Sequence, residues 1–169
     1  SSAASDVYKR QGYKQTGWNT KADGTGTHYD AGKAIDVINW TDLDGKVINL
    51  YAEWEKQSYA VTYFDVVNNK NGKELGRTTK QISYGSKVSG SDIGTDKTLG
   101  TYYDGYVYES CTSATVETSG TVVYRIFKVH NYNISYNLNG GSLPDGKSNP
   151  DTYNVESSDI TLNNPVKSG

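Results

Sequence analysis

The chain has no methionine, two phenylalanines, three prolines and a single cysteine in 169 residues. Cys111, having no second cysteine to pair with, cannot close an internal disulfide, so packing and hydrogen bonds must hold the fold. That usage fits the cytosol or the surface of a bacterium that makes little use of disulfides. Apolar residues are 34% of the chain, below the roughly 45–50% of ordinary globular domains, which argues against one large core. No apolar run approaches the roughly 18 residues that cross a bilayer, and no basic-then-apolar signal segment opens the chain, so this segment is not expected to insert in a membrane. The 17 basic and 19 acidic residues are spread along the sequence, for a net charge of -2. Without a basic stripe to neutralise phosphates, nucleic acid is not expected as a partner.

What is abundant is tyrosine, with 15 residues, together with three tryptophans and 18 glycines. Tyr and Trp bury a ring while keeping a polar edge in water, which suits thin sheets wet on one side. From Gly12 onward, short runs of period-two alternation are separated by Gly, Asn and Asp turns, which predicts a mainly β, β-rich chain of small modules. In 46–54, Ile48, Leu50, Ala52 and Trp54 fall on one face, and Asn49, Tyr51 and Glu53 on the other. Tyr132, Ile134, Tyr136 and Leu138 form a second such face and lead into Asn139-Gly140-Gly141, a hairpin signal; Val122, Tyr124 and Ile126 form a third. Asn71-Gly72 reads as the tip between the run 61–67 and Glu74-Leu75, while Asp44-Gly45 and Asp23-Gly24 mark further turns. The segment 88–93 has room for one helical turn, capped by Ser89 or Ser91. The pattern shifts near 56–59 and near 128–131, dividing the chain into 12–56, 57–129 and 130–169. Residues 1–11, SSAASDVYKRQ, share none of this patterning, resemble adapter-derived peptide of translated metagenomic reads, and are read as a non-native or disordered leader.

Gly12-Tyr13, Thr16-Gly17-Trp18, the Gly24 and Gly26 loop, Tyr29, Gly32 and the closing Leu50-Tyr51-Ala52-Glu53-Trp54 resemble the second half of the Listeria-Bacteroides repeat, related to the internalin B-repeat. The segment from Tyr132 through Asn139-Gly140-Gly141 to Lys167-Ser168-Gly169 resembles the first half of the same repeat. Between them, the strand at 59–67, the Asn71-Gly72-Lys73-Glu74 hairpin, Tyr84-Gly85-Ser86-Lys87-Val88, the Tyr106 region and Val122-Val123-Tyr124 look like a mucin-binding-protein-like repeat. The resemblance implies tandem small β-grasp-like modules of a Gram-positive-type cell-surface or cell-wall protein, the terminal ones incomplete. Each half-repeat then lacks the strands that cover its apolar face, leaving Trp18 and Trp54, and Tyr136 and Leu138, short of partners. The two halves are either loosely ordered or fold back to complete one permuted repeat.

No residue pattern specifies catalysis. Asp42, Asp44 and Glu53 stand at the first, third and twelfth places of a calcium loop, but Gly45 sits at the fourth place in place of the sixth and Lys46 occupies a ligand position, so a plain turn is the better reading. His28 and His130 have no second ligand or nucleophile at recognisable spacing and read as loop or strand-edge residues. Cys111 has no Gly-rich elbow or paired His, which makes it a half-buried structural thiol. Asn39-Trp40-Thr41 and Asn133-Ile134-Ser135 match a glycosylation sequon, a chance match in a bacterial protein. Trp40, Tyr102, Tyr103, Tyr106 and Tyr108 are the aromatics least explained by the strand faces; they could stack on sugars, with core or cross-strand packing as the alternative. The reading is therefore an extracellular spacer segment that needs no metal or cofactor, is not an enzyme, has neighbouring repeats as partners, and presents a binding region away from the wall. The alternative is direct adhesion to a host glycan or glycoprotein through exposed aromatics or a strand edge.

Overall fold

Of the three alternating faces, 122–126 becomes strand throughout, 46–54 from Tyr51 and 132–138 only at its start. The structure, a computed structural model, describes residues 10–34 and 47–167. The strands are β1 (Tyr13–Asn19), β2 (His28–Asp30), β3 (Tyr51–Lys56), β4 (Ser58–Val67), β5 (Glu74–Ser83), β6 (Lys87–Ser89), β7 (Tyr106–Cys111), β8 (Ser113–Thr115), β9 (Thr121–Val129), β10 (Tyr132–Asn133) and β11 (Thr152–Tyr153). They form four sheets with strand orders β2-β1-β3, β5-β4-β9-β7, β6-β8 and β10-β11. The chain is mainly β, as its composition and turn chemistry predict. A 3-10 helix at Gly90–Ile93 occupies the expected helical turn, with Ser89 as its cap and Asp92 bonding back to the Ser89 amide.

Two compact units divide the described residues. The first holds the residues up to Val61 together with Lys80–Lys87 and Thr115–Thr121; the second holds Thr62–Thr79, Val88–Ala114 and the residues from Val122 onward. In the first, β1 pairs antiparallel with both β2 and β3, and a bulge at Thr16 shifts the β1–β3 register between Gln15 and Gly17. Tyr84 packs edge-on against Tyr13 and Tyr59, at ring separations of 6.2 and 6.3 Å, and Val61 and Val116 are fully buried.

In the second unit the core face of the central sheet carries Tyr63, Asp65 and Val67 from β4 and Val123, Arg125 and Phe127 from β9. This corrects the expected face of β9. Val122 is 46% exposed and Tyr124 and Ile126 are half-buried, so the buried set lies one residue out of phase with the apolar set read from the sequence. Arg125 lies on the buried face, and the carboxylate that permits its burial stands 60 residues away. Tyr124 stacks on Phe64 on the opposite face, at 5.7 Å between ring centres.

Three further expectations shift. The strand expected over 46–54 begins at Tyr51, with Ile48 and Leu50 half-buried ahead of it; Lys46 and Asp44-Gly45 lie outside the described residues. The hairpin between β4 and β5 forms, but positive φ falls on Asn68, at 65°, and not on Asn71-Gly72. Gly72 is needed for space, because a Cβ there would collide with the Val67 carbonyl. The Asn139-Gly140 turn has positive φ at both residues, 49° and 81°, and is closed by the Gly141 amide on the Leu138 carbonyl at 2.9 Å. Its flanks are not a continuous hairpin. Only Tyr132–Asn133 is strand, paired with Thr152–Tyr153, and Ser142 bridges Val166. The Asn137 side chain takes the Asn139 amide and so satisfies that backbone group locally.

Candidate functional site

Facing positions on β4 and β9 bring two opposite charges into the core. Asp65 and Arg125 are both buried and form a fork-to-fork pair, with Arg125 Nε donating to Asp65 Oδ1 and Nη2 to Oδ2, each at 2.8 Å. Arg125 Nη1 also donates to the carbonyls of Ile93 and Gly94, at 3.1 and 3.3 Å. Burial is the largest single influence and works against the charge, but the bond to Asp65, the attraction of its carboxylate and the nearby Tyr102 and Tyr103 together outweigh it and raise the pKa of the Arg125 guanidinium. Its flat face lies 4.2 Å from the centre of the Tyr102 ring. The pair therefore ties the 3-10 turn and the loop after it to the sheet.

Three of the aromatics named from the sequence gather at the Phe127 ring beside this pair. Tyr102, Tyr103 and Tyr108 surround Phe127 edge-to-face, with ring centres 5.8, 5.4 and 6.0 Å away. Tyr103 Oη donates to Asp65 Oδ2 at 2.6 Å, in space left by Gly76. Burial, reinforced by that carboxylate, pushes the Tyr103 phenol well above its usual range. Burial and a hydrogen bond with Cys111 push Tyr108 up to about 12. Tyr106 shares the buried cluster of Val67, Tyr108 and Phe127; the residue is 6% exposed and its hydroxyl meets Glu156 and Lys73. Trp40 lies outside the described residues, as does the Asn39-Trp40-Thr41 sequon. Tyr106 and Tyr108 are thus core residues, and Tyr102 and Tyr103 pack against that core.

Cys111 is half-buried and free, as expected. The Ser89 hydroxyl, 3.4 Å from its Sγ, and the Tyr108 hydroxyl hold the thiol below its ordinary value.

The first unit carries a second ionic cluster. Asn19, at the end of β1, is 1% exposed, and its amide donates to Glu53 Oε1 at 2.9 Å and to the Gly24 carbonyl at 3.1 Å. Its Oδ1 accepts from the amides of Lys21 and Gly26, both at 3.0 Å, so the glycine loop is wrapped around one asparagine. His28 on the edge strand β2 bonds Glu53 through Nδ1 and lies 3.2 Å from Asp30 Oδ1 through Nε2. Gly17 makes room for it, since a Cβ there would strike both the Tyr29 carbonyl and the imidazole. The Glu53 bond, then the Asp30 bond, raise the His28 pKa above its usual value, and the His28 bond lowers that of Glu53. Glu53 is thereby engaged by His28 and Asn19, while Asp42 and Asp44 of the weighed calcium loop lie outside the described residues. Among the described residues, no group of three or more His, Cys, Asp or Glu is placed to hold a metal. His130 packs edge-on against Tyr132 at 4.8 Å.

Neither charge pair was found by reading the sequence. The usable signal was one acid on the alternating run of β4 and one base on that of β9, each at a position whose neighbours two residues away are apolar.

No family model and no solved structure matches the chain. A protein of Evansella cellulosilytica that carries the name "Putative Gly-rich membrane protein" is 30% identical over 142 residues, covering 79% of this chain and 16% of that protein. The chain thus spans about a sixth of the length of the curated relative it matches. No helix among the described residues is long and apolar enough to cross a membrane.

Proposed function

We propose that this chain is a non-catalytic spacer segment of a bacterial cell-surface protein, built from small tandem β modules that hold a binding region away from the cell wall. The observation that carries the reading is the direction of the aromatic rings. Tyr106 and Tyr108 point into the core, Tyr102 and Tyr103 close over Phe127, and their hydroxyls serve internal bonds in place of a ligand. The length relation supports it as well, because most of this chain corresponds to a small part of a much longer relative, as a module of an array would. From that relative's name we carry over only a place at the cell envelope, where a chain held without disulfides needs the kind of internal bonding described above.

The test is a display experiment. The chain is placed between a wall anchor and a reporter binding domain on a Gram-positive cell, and antibody access to the reporter is measured. Access should fall when the chain is removed and return when an unrelated rigid module of equal length replaces it. If an unrelated module fails to restore attachment to host cells, or if the isolated chain binds a glycan saturably and loses that binding in Trp18→Ala, adhesion replaces the spacer reading. Trp18 is the appropriate probe because it is 38% exposed, whereas Tyr106 is a core residue.

A further inference from the structure

One tyrosine hydroxyl of the central sheet is directed at the segment that follows β9. Tyr106 opens β7, and its Oη donates to Glu156 Oε1 at 2.9 Å while accepting from Lys73 Nζ at 3.2 Å. Lys73 Nζ lies 3.8 Å from the same carboxylate oxygen, so the acid meets a cation as well as a phenol. Next to Tyr106, Gly105 has φ of 79°, and a Cβ on it would stand 2.6 Å from Val155 Cβ. A side chain at that position would both strain the backbone and displace Val155.

The piece that enters this seat is a turn closed by its own bonds. The Ser157 amide donates to the Asn154 carbonyl at 3.0 Å, the Glu156 amide to Asn154 Oδ1 at 2.9 Å, and the Asn154 amide to Ser157 Oγ at 2.9 Å. Val155 and Glu156 stand at its tip, held ready by an Asx turn. The base of the turn is anchored separately. Asn154 Nδ2 donates to Asn131 Oδ1 at 2.8 Å, Tyr153 stacks on Tyr132 at 5.1 Å, and the His130 amide donates to the Gly105 carbonyl at 2.8 Å. The segment leaving β9 is therefore gripped where it departs and again at the tip of a turn some 25 residues later in sequence. A pair of two-residue strands such as β10–β11 has too little surface to fix its own orientation, and a single linker would leave it to swivel.

We infer that Gly105, Tyr106 and Lys73 form a docking seat for the Asn154–Ser157 turn, and that this seat makes the passage from the central sheet to the following segment a stiff joint. The inference rests on the spacer reading for its purpose, since a projecting array gains reach from joints that do not fold back. Its structural content is separate. The occupant is a preformed turn with an aliphatic and an acidic residue at its tip, and the seat meets both: Gly105 lies against Val155, which stays 50% exposed, and a phenol with an ammonium meets the acid.

The test uses nitroxide pairs at Thr78→Cys on β5 and Asp145→Cys beyond β10, in a Cys111→Ser background of the full chain, with pulsed dipolar distance measurement. A single narrow distance distribution is expected, and it should broaden in V155S/E156A while far-UV circular dichroism stays unchanged. Nitrogen relaxation of the unlabelled native chain supplies the second reading: residues 132–166 should share the rotational correlation time of the central sheet. A broad distribution in the parent, a V155S/E156A distribution as narrow as the parent, or separate correlation times would overturn the joint. A broad distribution together with a positive display experiment would remove the joint and leave a flexible spacer; a narrow one with a negative display experiment would do the reverse.

Discussion

Replacing Asp65 by Asn leaves Arg125 buried with its charge intact and its partner gone. Asp65 accepts three bonds, two from Arg125 and one from Tyr103, and both members of the ion pair have side chains at 7% exposure or less. An amide can accept at one atom only, so one guanidinium nitrogen is left facing an NH2 group. Breaking a buried pair in this way costs about 3–5 kcal/mol, against about 0–1 kcal/mol for an exposed pair. At about 4–8 °C per kcal/mol for a domain of 60–100 residues, even the lower value lowers the unfolding midpoint by more than about 12 °C. Near-UV circular dichroism of tyrosine is the appropriate probe, because all three tryptophans lie in the first 54 residues and report on the first unit. D65L/R125M removes both charges but strands Tyr103 Oη and the Ile93 and Gly94 carbonyls, at about 1–3 kcal/mol for each buried group, so it should recover little of the loss. A loss under about 1 kcal/mol in Asp65→Asn would refute the claim that the pair is desolvated and structural.

Three other expectations concern single sites. His28 has a raised pKa and Glu53 a lowered one, so the imidazolium contribution is complete below the ordinary 6.5 and fades as pH rises through the higher folded value, while the carboxylate contribution is complete above 4.5 and fades as pH falls through the lower folded value. Protection of the β2 amides from hydrogen exchange should therefore peak between those two limits and flatten in His28→Gln; an NMR titration of His28 at or below 6.5 would contradict this. Gly17→Ala should cost about 1–3 kcal/mol by overpacking and expose β2, read as lost exchange protection from His28 to Asp30 with β3 pairing retained. The Cys111 thiol should alkylate with a pH midpoint below that of a free cysteine, and Ser89→Ala should move it upward; no movement would show that Ser89 does not hold the thiolate.

The turns were the most legible part of the sequence, because their chemistry is local. Asn139-Gly140, Asp23-Gly24 and the Ser89 cap all adopt backbones that their own side chains dictate, and each could be placed without knowing a distant partner. Faces were less legible where a partner was distant. On β9 alternation grouped Val122, Tyr124 and Ile126 as the apolar face, whereas the buried face carries Arg125, whose charge is met by a carboxylate on β4. The run 132–138 alternates well but lacks a neighbouring strand along most of its length, so period-two patterning alone did not make it a strand. Of the weighed ligand contacts, Tyr106 and Tyr108 lie on the buried face of β7, a face the strand patterning leaves out, while Tyr102 and Tyr103 lie in a loop folded onto the sheet, a relation that periodicity does not encode.

The unusual exchange of leucine and methionine for tyrosine has a structural consequence beyond ring packing. Four tyrosine hydroxyls make bonds that have irregular chain on at least one side: Tyr102 accepts from the Asp96 amide at 3.3 Å, Tyr103 in its loop bonds Asp65 on β4, Tyr106 on β7 bonds Glu156, and Tyr136 donates to the Pro150 carbonyl at 2.7 Å. The rings of Tyr102, Tyr103 and Tyr106 are fixed by the sheet, and each of the four hydroxyls acts as a tether for chain that has few strand hydrogen bonds of its own. Cystine commonly serves that purpose in small extracellular domains. Here the long stretches 94–105 and 134–167 are held by phenols, and the holding force is independent of redox conditions. A leucine could fill the same volume as a tyrosine ring only in part and would leave every one of these loops without its tether, which is why the aromatic content of this chain belongs to its loops as much as to its cores.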